Sequence, residues 1–249
     1  VINAINDPRI FYYRLEEHNN ANVARNYGIN HSRGEYIAML DSDDEWLETH
    51  LEDSVSMLLE EKADCIYGSL ILRGETDSIF TAPRPVGEDE TVIDYLLSTG
   101  YGAQTSTLVM TALSAKDILW DETLKRHQDY DFVIRYSRKY KIFPRIKPTV
   151  IYHFSDTPPI IDFDSCIRFI HTVEDEITDR IYMNYHKHML KLAIASNAQV
   201  NIITHYRKAA THCEYLLSFY DYLMILQPQN RFKAWLLKMR YIRGVFKVK

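Results

Sequence analysis

The sequence is poor in glycine and in the motifs that glycine builds. It has eight glycines in 249 residues, well below the average of roughly 7% in proteins. None of them forms a G-x-G-x-x-G or G-x-x-x-x-G-K-[ST] pattern, in which backbone N–H groups cradle phosphates. If this protein binds a nucleotide, we expect it to do so without a glycine-rich cradle in this chain.

Cysteine is scarce, and long apolar runs are absent. Cys65, Cys166 and Cys213 are scattered without C-x-x-C spacing, which argues against a disulfide framework and a zinc site. We therefore expect a reducing, cytoplasmic location. The longest apolar stretch, residues 216–226, is interrupted by Asp221, so we expect no membrane span. No signal peptide is recognisable, and the opening on Val1 predicts a piece of a longer protein.

The charge is divided between an acidic body and a basic tail. The net charge is −5, and residues 231–249 contribute seven basic side chains and no acid, which leaves −12 on residues 1–230. An acidic body argues against nucleic-acid binding. The tail predicts either an amphipathic helix on an anionic membrane or a helix packed on the protein with a solvated basic face.

The first 157 residues alternate between strand and helix patterns, which predicts an α/β layer fold. The apolar run at residues 36–40 is typical of a buried parallel strand, and Gly34 is expected to end the helix before it. Beyond residue 157 the pattern is helical, so we predict a first unit over 1–157 and a helical C-terminal extension over 158–249. The predicted strands are 10–14, 36–40, 64–72, 108–110 and 150–152, and the predicted helices of the first unit are 19–32, 47–62, 91–98 and 130–140.

An acidic cluster follows the predicted strand at residues 36–40. Asp41 and Asp43 stand at its C-terminal end, with Asp44 and Glu45 adjacent, and open α/β sheets bind ligands at that end of their strands. Paired carboxylates suit Mg²⁺ or Mn²⁺, which would in turn hold a diphosphate. The alternative is that these aspartates cap the following helix.

Two other interpretations of the cluster fit the sequence less well. An EF-hand loop that starts at Asp41 requires glycine at its sixth position, where this chain has Trp46. A haloacid-dehalogenase-type phosphatase also places D-x-D after an apolar strand. Its fifth residue would resemble Thr or Val rather than Glu45, and no Gly-Asp dipeptide follows. The phosphatase therefore stays the weaker rival.

A second carboxylate, Asp129, precedes the predicted helix that contains Phe132, Ile134 and Tyr136. It can serve as a general base if the fold brings it near a metal-bound substrate. A helix N-cap is the alternative, and spacing alone favours the cap.

Several stretches together resemble family 2 glycosyltransferases with the GT-A fold, a mixed sheet flanked by helices. They occur in the family's order from about residue 8 to residue 155. The stretches are N-N-A-N-V-A-R-N-Y-G-I at 19–29, S-R-G-E-Y-I-A-M-L-D-S-D-D-E-W at 32–46, L-V-M at 108–110, W-D-E-T-L at 120–124 and H-Q-D-Y-D-F at 127–132.

The resemblance implies transfer of a sugar, with inversion, from a nucleotide-diphospho-sugar, expected to be a UDP-sugar. Asp43 would bind Mn²⁺ or Mg²⁺, and Asp41 would share the metal or face the ribose. Arg25 would support the nucleotide or act as an ion-pair residue of the fold, and Asp129 would be the base. His153 stands where some members have a histidine near the metal, although a structural role is the preferred interpretation.

The implied acceptor is a hydroxyl of a glycan or of a lipid-linked molecule in surface-polysaccharide assembly, with no nucleic-acid partner. Peripheral membrane contact through the basic tail, at the inner face of the membrane, would suit a lipid-linked acceptor. Such a family begins with a strand, a helix and a second strand that this chain is expected to lack, about 30 residues. A non-catalytic binding or scaffolding fragment of the same fold therefore stays open as the rival interpretation.

Overall fold

The computed structural model describes residues 6–16, 20–73, 78–80, 85–99, 104–153 and 160–212. Its strands are β1 (Tyr36–Ala38), β2 (Glu45–Trp46), β3 (Cys65–Gly68), β4 (Leu70–Arg73), β5 (Ser78–Phe80), β6 (Val109–Thr111), β7 (Ile142–Arg145) and β8 (Val150–His153). Its helices are α1 (Ala21–His31), α2 (His50–Glu61), α3 (Val92–Thr99), α4 (Ala112–Asp117), α5 (Gln128–Ser137), α6 (Phe163–His171), α7 (Asp179–Ala195) and α8 (Val200–His212).

The strands form two mixed sheets of four strands each. The first has the order β1-β6-β3-β7, in which β6 is antiparallel to both neighbours and β3 is parallel to β7. The second has the order β2-β8-β4-β5, in which β4 and β8 are parallel. Ser69 alone separates β3 from β4, and its N–H donates to the Arg145 carbonyl over 3.0 Å. The predicted α/β fold with a mixed sheet is confirmed.

Four local predictions differ from the structure. The single strand predicted at 64–72 is divided at Ser69 into β3 and β4, which belong to different sheets. Strand β1 is antiparallel to β6, not parallel as predicted. The prediction failed because an apolar run indicates burial and carries no information on strand direction. Residues 10–14 form no strand: their aromatic side chains are exposed, and no described strand pairs with them. Helix α1 ends at His31, before Gly34, because the Ser32 hydroxyl and N–H both donate to the Ile29 carbonyl.

Helix α1 begins at Ala21, two residues after the predicted start at residue 19. Asn20 occupies the N-cap, where its side chain accepts from the backbone N–H groups of Asn22 and Val23. An N-cap oxygen satisfies donors that have no partner within the first turn. This cap fixes the first residue of the helix that carries Arg25.

One hydrophobic cluster joins the first sheet to the helices that follow residue 160. Met110 of β6 and Phe132 of α5 belong to the same buried cluster as Phe169 of α6 and Tyr206 of α8. Helices α6 to α8 therefore pack against the core of the preceding residues. No helix in the described ranges is both long and apolar enough to cross a bilayer. The predicted basic helix at residues 231–249 lies outside the described residues.

A buried polar network fixes α2 against β7. Arg145 is 2% exposed and donates to the Ser54 hydroxyl and, over 3.1 Å, to Nδ1 of His50. That same nitrogen lies 2.8 Å from the Thr149 hydroxyl. Burial, and then the charge of Arg145, lowers the pKa of His50 to about 3. Neutral His50 is therefore the form that the folded network holds.

His186 of α7 is a second buried histidine, with a different environment. It is 1% exposed, and neither ring nitrogen has a hydrogen-bond partner among the described residues. The rings of Tyr182, Tyr206 and His205 lie around it. Burial, followed by the charges of His205 and His171, lowers its pKa to about 3. Protonating His186 therefore costs free energy only in the folded state.

We expect the free energy of unfolding to fall as the pH is lowered from about 6.5 towards about 3, because the unfolded chain then binds protons that folded His186 excludes. His186→Leu removes this contribution, at most about 1.4 kcal/mol per pH unit. Urea unfolding at several pH values measures the slope. Asn184→Leu, exposed on the same helix, is the control that keeps the wild-type slope. An unchanged slope in His186→Leu would contradict the prediction.

Candidate active site

The acidic cluster forms a tight loop between the two sheets. We call Asp41–Asp44 the acidic loop; it connects β1 of the first sheet to β2 of the second. The Asp44 N–H donates to the Asp41 carbonyl over 3.1 Å, which closes a turn. Helix α2 begins later, with Thr49 at its N-cap and Glu52 and Asp53 in its first turn. The alternative that the acidic loop caps this helix is therefore wrong.

The acidic loop is attached to the turn that precedes β6. Ser106 Oγ donates to Asp44 Oδ2 over 2.5 Å and accepts from the Asp41 N–H over 3.0 Å. Gln104 Nε2 donates to the same Asp44 oxygen over 2.8 Å. The indole N–H of Trp46 donates to the Ser106 carbonyl over 2.8 Å. Both ends of the loop therefore meet one turn.

The three carboxylates of the loop differ in what they contact. Asp44 is 8% exposed, and burial raises its pKa, aided by the charges of Asp43 and Asp41 and opposed by its two hydrogen bonds. Asp43 is exposed and forms no hydrogen bond or ion pair within the described ranges. Asp41 is half-buried, with Oδ1 bound to Arg25. Asp43 and Asp41 therefore face solvent, whereas Asp44 faces the protein.

Arg25 links α1 to the acidic loop. One guanidinium nitrogen donates to Asp41 Oδ1 over 2.8 Å, and the other donates to Asn22 Oδ1 over 2.9 Å. The guanidinium carbon lies 4.7 Å from the centre of the Trp120 ring. The side chain is only 9% exposed, so its direction is fixed by these contacts.

Asparagines of α1 bind the segment that contains Trp120. Asn26 accepts from the Trp120 N–H over 2.8 Å and donates to the Trp120 carbonyl over 2.9 Å. Asn22 donates to the carbonyls of Asp121 and Leu124. The residues at 19–29 and 120–124, distant in sequence, therefore form one structural unit.

Asp129 lies in the first turn of α5 and is half-buried. Burial raises its pKa, while the N–H of Tyr130 and the charges of Arg126 and Arg25 oppose the rise. The N-cap of α5 is His127, in the left-handed conformation with φ 57°, so the N-cap interpretation of Asp129 is wrong. The Trp120 ring lies against the guanidinium of Arg25 and 4.3 Å from the ring of Phe132, in the helix that carries Asp129. The fold therefore brings the two predicted carboxylate sites to the same region.

Arg126 lies three residues before Asp129, and Tyr152 precedes His153, which contacts Glu45; the sequence predictions assigned no role to either. Burial raises the pKa of Tyr152, the charges of the three acidic-loop carboxylates raise it further, and Arg126 lowers it. Arg126 is half-buried and forms no hydrogen bond or ion pair with another described residue. The position of Arg126 directly before the H-Q-D stretch is the sequence feature that could have identified it. No sequence feature identifies Gln104 or Ser106 as part of the site, since their loop shows no periodic pattern.

His153 of β8 has a partner outside the acidic loop. Its Nε2 lies 2.6 Å from Glu45 Oε1 on the neighbouring strand β2. This contact agrees with the preferred structural interpretation of the histidine and joins β8 to the residue that follows the loop.

The carboxylates present fit a metal that is shared with a ligand. Among the described residues, no three His, Cys, Asp or Glu side chains are grouped to hold a metal ion. Asp43 and the second oxygen of Asp41 have no hydrogen bonds within that part of the chain. Mg²⁺ is commonly bound by one or two carboxylates together with substrate phosphates. The loop therefore suits such a shared ion better than a closed protein site.

A cavity of about 550 Å³ opens between α1 and β1. Arg25, Gly28, Tyr36, Met39 and Asp41 are among the residues that line it. This volume lies in the range of pockets that bind small organic ligands. The cavity is therefore large enough for a ligand beside the Arg25–Asp41 pair.

The fold is that of the GT-A glycosyltransferases. The structure is similar to that of Staphylococcus aureus TarS residues 1–349 in complex with UDP-GlcNAc, with a TM-score of 0.57 and 15% identity over 93% of this chain and 75% of that chain. Residues 1–111 match the family described as Glycosyl transferase family 2. The matched residues include α1 and the acidic loop, so the predicted resemblance is confirmed.

Curated relatives carry related names. The amylovoran biosynthesis glycosyltransferase AmsB of Erwinia amylovora is 36% identical over 137 residues, 52% of this chain and 46% of AmsB. Escherichia coli WfgD, a UDP-Glc:alpha-D-GlcNAc-diphosphoundecaprenol beta-1,3-glucosyltransferase, is 32% identical over 110 residues, 43% of this chain and 42% of WfgD. The chain therefore matches somewhat less than half the length of each of these relatives.

Proposed function

We propose that this chain is the catalytic part of a glycosyltransferase of polysaccharide biosynthesis. It would transfer a sugar from a UDP-sugar to a hydroxyl of a glycan or lipid-linked acceptor. The observation that carries the proposal is the proximity of the acidic loop, Arg25 and the helix of Asp129: Arg25 pairs with Asp41 and lies on the Trp120 ring, which stacks on Phe132 of that helix. In this proposal the solvent-facing carboxylates of Asp41 and Asp43 would bind a metal-bound diphosphate, and the half-buried carboxylate of Asp129 would act as the base.

Asp43 and Asp41 would hold Mn²⁺ or Mg²⁺ in this proposal. A bound divalent ion supplies electrostatic stabilisation of the charge that develops on the departing diphosphate. Arg25 orients the Asp41 carboxylate through its ion pair. Arg126 would add a second positive charge, since it is half-buried and forms no ion pair with a described residue. A guanidinium in such a place binds phosphate oxygens well.

Asp129 would accept the proton of the acceptor hydroxyl. The oxygen forms a bond to the anomeric carbon as the bond from that carbon to the diphosphate breaks, and the proton passes to the carboxylate. Attack opposite the leaving group inverts the anomeric carbon. Burial raises the pKa of Asp129, and a raised pKa makes a carboxylate a stronger base.

The relatives support the substrate class. The name of AmsB refers to amylovoran biosynthesis, and that of WfgD refers to a sugar-diphosphoundecaprenol, so polysaccharide assembly on a lipid carrier is the proposed setting. Within this proposal, residues 1–157 form the catalytic domain and residues 158–249 form the helical extension. Contact of the basic residues 231–249 with the inner face of a membrane would bring the enzyme to its acceptor.

We expect Asp43→Asn to abolish Mn²⁺-dependent binding of UDP, because it removes the exposed carboxylate of the acidic loop that has no hydrogen bond or ion pair among the described residues. Calorimetric titration of UDP with and without Mn²⁺ measures this loss. Asp175→Asn, at an exposed position in the described structure, is the matched control. Wild-type affinity in Asp43→Asn would refute the metal assignment. Saturable binding without any sugar transfer would favour the non-catalytic interpretation.

Asp129→Asn should reduce sugar transfer by about 10²- to 10⁴-fold, the usual contribution of a general base, with unchanged affinity for UDP and Mn²⁺. The wild-type rate should fall as the pH drops through a pKa above the ordinary aspartate value, because the protonated carboxyl cannot accept a proton. Transfer rates measured between pH 4 and 8 test both points. A variant with the wild-type rate would remove Asp129 from the mechanism.

We expect Arg126→Gln to weaken UDP binding in the presence of Mn²⁺ by about tenfold, the value of one charge-assisted hydrogen bond. Binding of uridine should stay unchanged, since it has no phosphate. Lys125→Gln removes the same charge from the adjacent, exposed position and serves as the control, and Arg126→Lys should recover part of the affinity. Equal weakening of uridine and UDP would show that Arg126 does not contact the diphosphate.

A further inference from the structure

Asp44 is a buried carboxylate whose position needs an explanation. Oδ2 accepts hydrogen bonds from Ser106 and Gln104, and Oδ1 is buried with no hydrogen-bond partner among the described residues. A buried carboxylate costs free energy unless its partners compensate. The structure places those partners on the turn before β6, on the protein side of the loop.

The Ser106 hydroxyl contacts both ends of the acidic loop. It accepts from the Asp41 N–H at the first residue and donates to the Asp44 carboxylate at the last. A serine hydroxyl has one donor and two acceptor sites, so both contacts can form at once. The loop residues between these two points, Ser42 and Asp43, are exposed.

Gln104 fixes Ser106 in turn. Its side-chain oxygen accepts from the Ser106 N–H over 2.8 Å, while its Nε2 donates to Asp44 over 2.8 Å. Both groups of one amide are therefore used, which defines its orientation. The turn at Thr105–Thr107 is itself buried. A buried turn thus holds both ends of the exposed loop by hydrogen bonds.

We propose that Ser106 and Gln104 are positioning residues of the donor site, and that Asp44 is the anchor of the acidic loop rather than a metal ligand. The hydrogen bonds from Ser106 and Gln104 hold Asp44 inward, so that the loop presents Asp41 and Asp43 outward. This inference rests on the proposed function, since it assigns the outward carboxylates to a metal-bound nucleoside diphosphate.

The inference predicts a specific loss. Ser106→Ala leaves the Asp41 N–H and one side of the Asp44 carboxylate without their partner, so the loop samples conformations that do not bind. Apparent affinity falls in proportion to the fraction of molecules in the competent conformation. We expect the Kd of UDP with Mn²⁺ to rise about tenfold, which corresponds to the loss of a hydrogen bond to a charged group.

Ser114→Ala is the matched control. Ser114 is equally buried and hydrogen-bonded, to Tyr136 and the Thr111 carbonyl, but has no contact with the acidic loop. Both variants should lose stability in urea unfolding, whereas only Ser106→Ala should lose affinity for UDP and Mn²⁺. Equal Kd values in the two variants would overturn the positioning role.

The variant Asp44→Asn distinguishes an anchoring role of Asp44 from a role as a metal ligand. Asparagine keeps an oxygen that accepts hydrogen bonds from Ser106 and Gln104. If Asp44 is an anchor, the Kd of UDP with Mn²⁺ should therefore stay within about threefold of the wild-type value. This change is smaller than the one expected from losing a hydrogen bond to a charged group. Loss of binding as complete as in Asp43→Asn would show that Asp44 is a metal ligand and overturn the inference.

A measurement without a ligand keeps the inference distinct from the proposed function. Hydrogen exchange of the Asp41 amide should accelerate at least tenfold in Ser106→Ala and stay at the wild-type rate in Ser114→Ala, as expected when a hydrogen bond is lost locally. If the wild-type chain binds no UDP, the proposed donor site fails, and the exchange rates alone decide whether Ser106 anchors the loop. Unchanged exchange in Ser106→Ala overturns the anchor.

Discussion

The hydrogen bonds of the Ser106 hydroxyl to the Asp41 amide and the Asp44 carboxylate connect the two sheets at the point where the chain passes between them. The acidic loop leaves β1 of one sheet and enters β2 of the other, and a loop of four residues has few contacts of its own. Its conformation is therefore set from outside, by the buried turn before β6. The carboxylates of Asp41 and Asp43 face solvent because the turn holds the Asp44 carboxylate inside the protein.

A second set of contacts attaches helix α1 to the segment around Trp120, on the Arg25 side of the site. Asn22 and Asn26 bind the backbone near Trp120, and the Trp120 ring lies beneath the Arg25 guanidinium. The ion pair between Arg25 and Asp41 is half-exposed on the carboxylate side, and exposed pairs contribute little stability. We therefore regard the asparagine contacts as the structural attachment and the arginine as the group that orients the Asp41 carboxylate.

The sequence predicted the parts of the molecule that carry strong local patterns. Helix α1 and the acidic residues after an apolar strand follow from side-chain chemistry and spacing, and the ordered motifs carry the family resemblance. Strand direction was beyond such reasoning, because β1 is apolar whether its neighbour runs parallel or antiparallel. Gln104, Ser106 and Arg126 were missed for a related reason: their importance comes from contacts that only the folded chain creates.

The ring of His127, next to the turn that bears Asp129, lies 5.1 Å from the ring of Phe169 and 5.7 Å from that of Tyr185. Both aromatic residues belong to helices that follow residue 160. One wall around the proposed base is thus supplied by a later part of the chain than any of the recognised motifs. Variation among relatives in those helices would then alter the setting of the carboxylate without touching a single motif residue, and two enzymes with identical motifs need not share the same base strength.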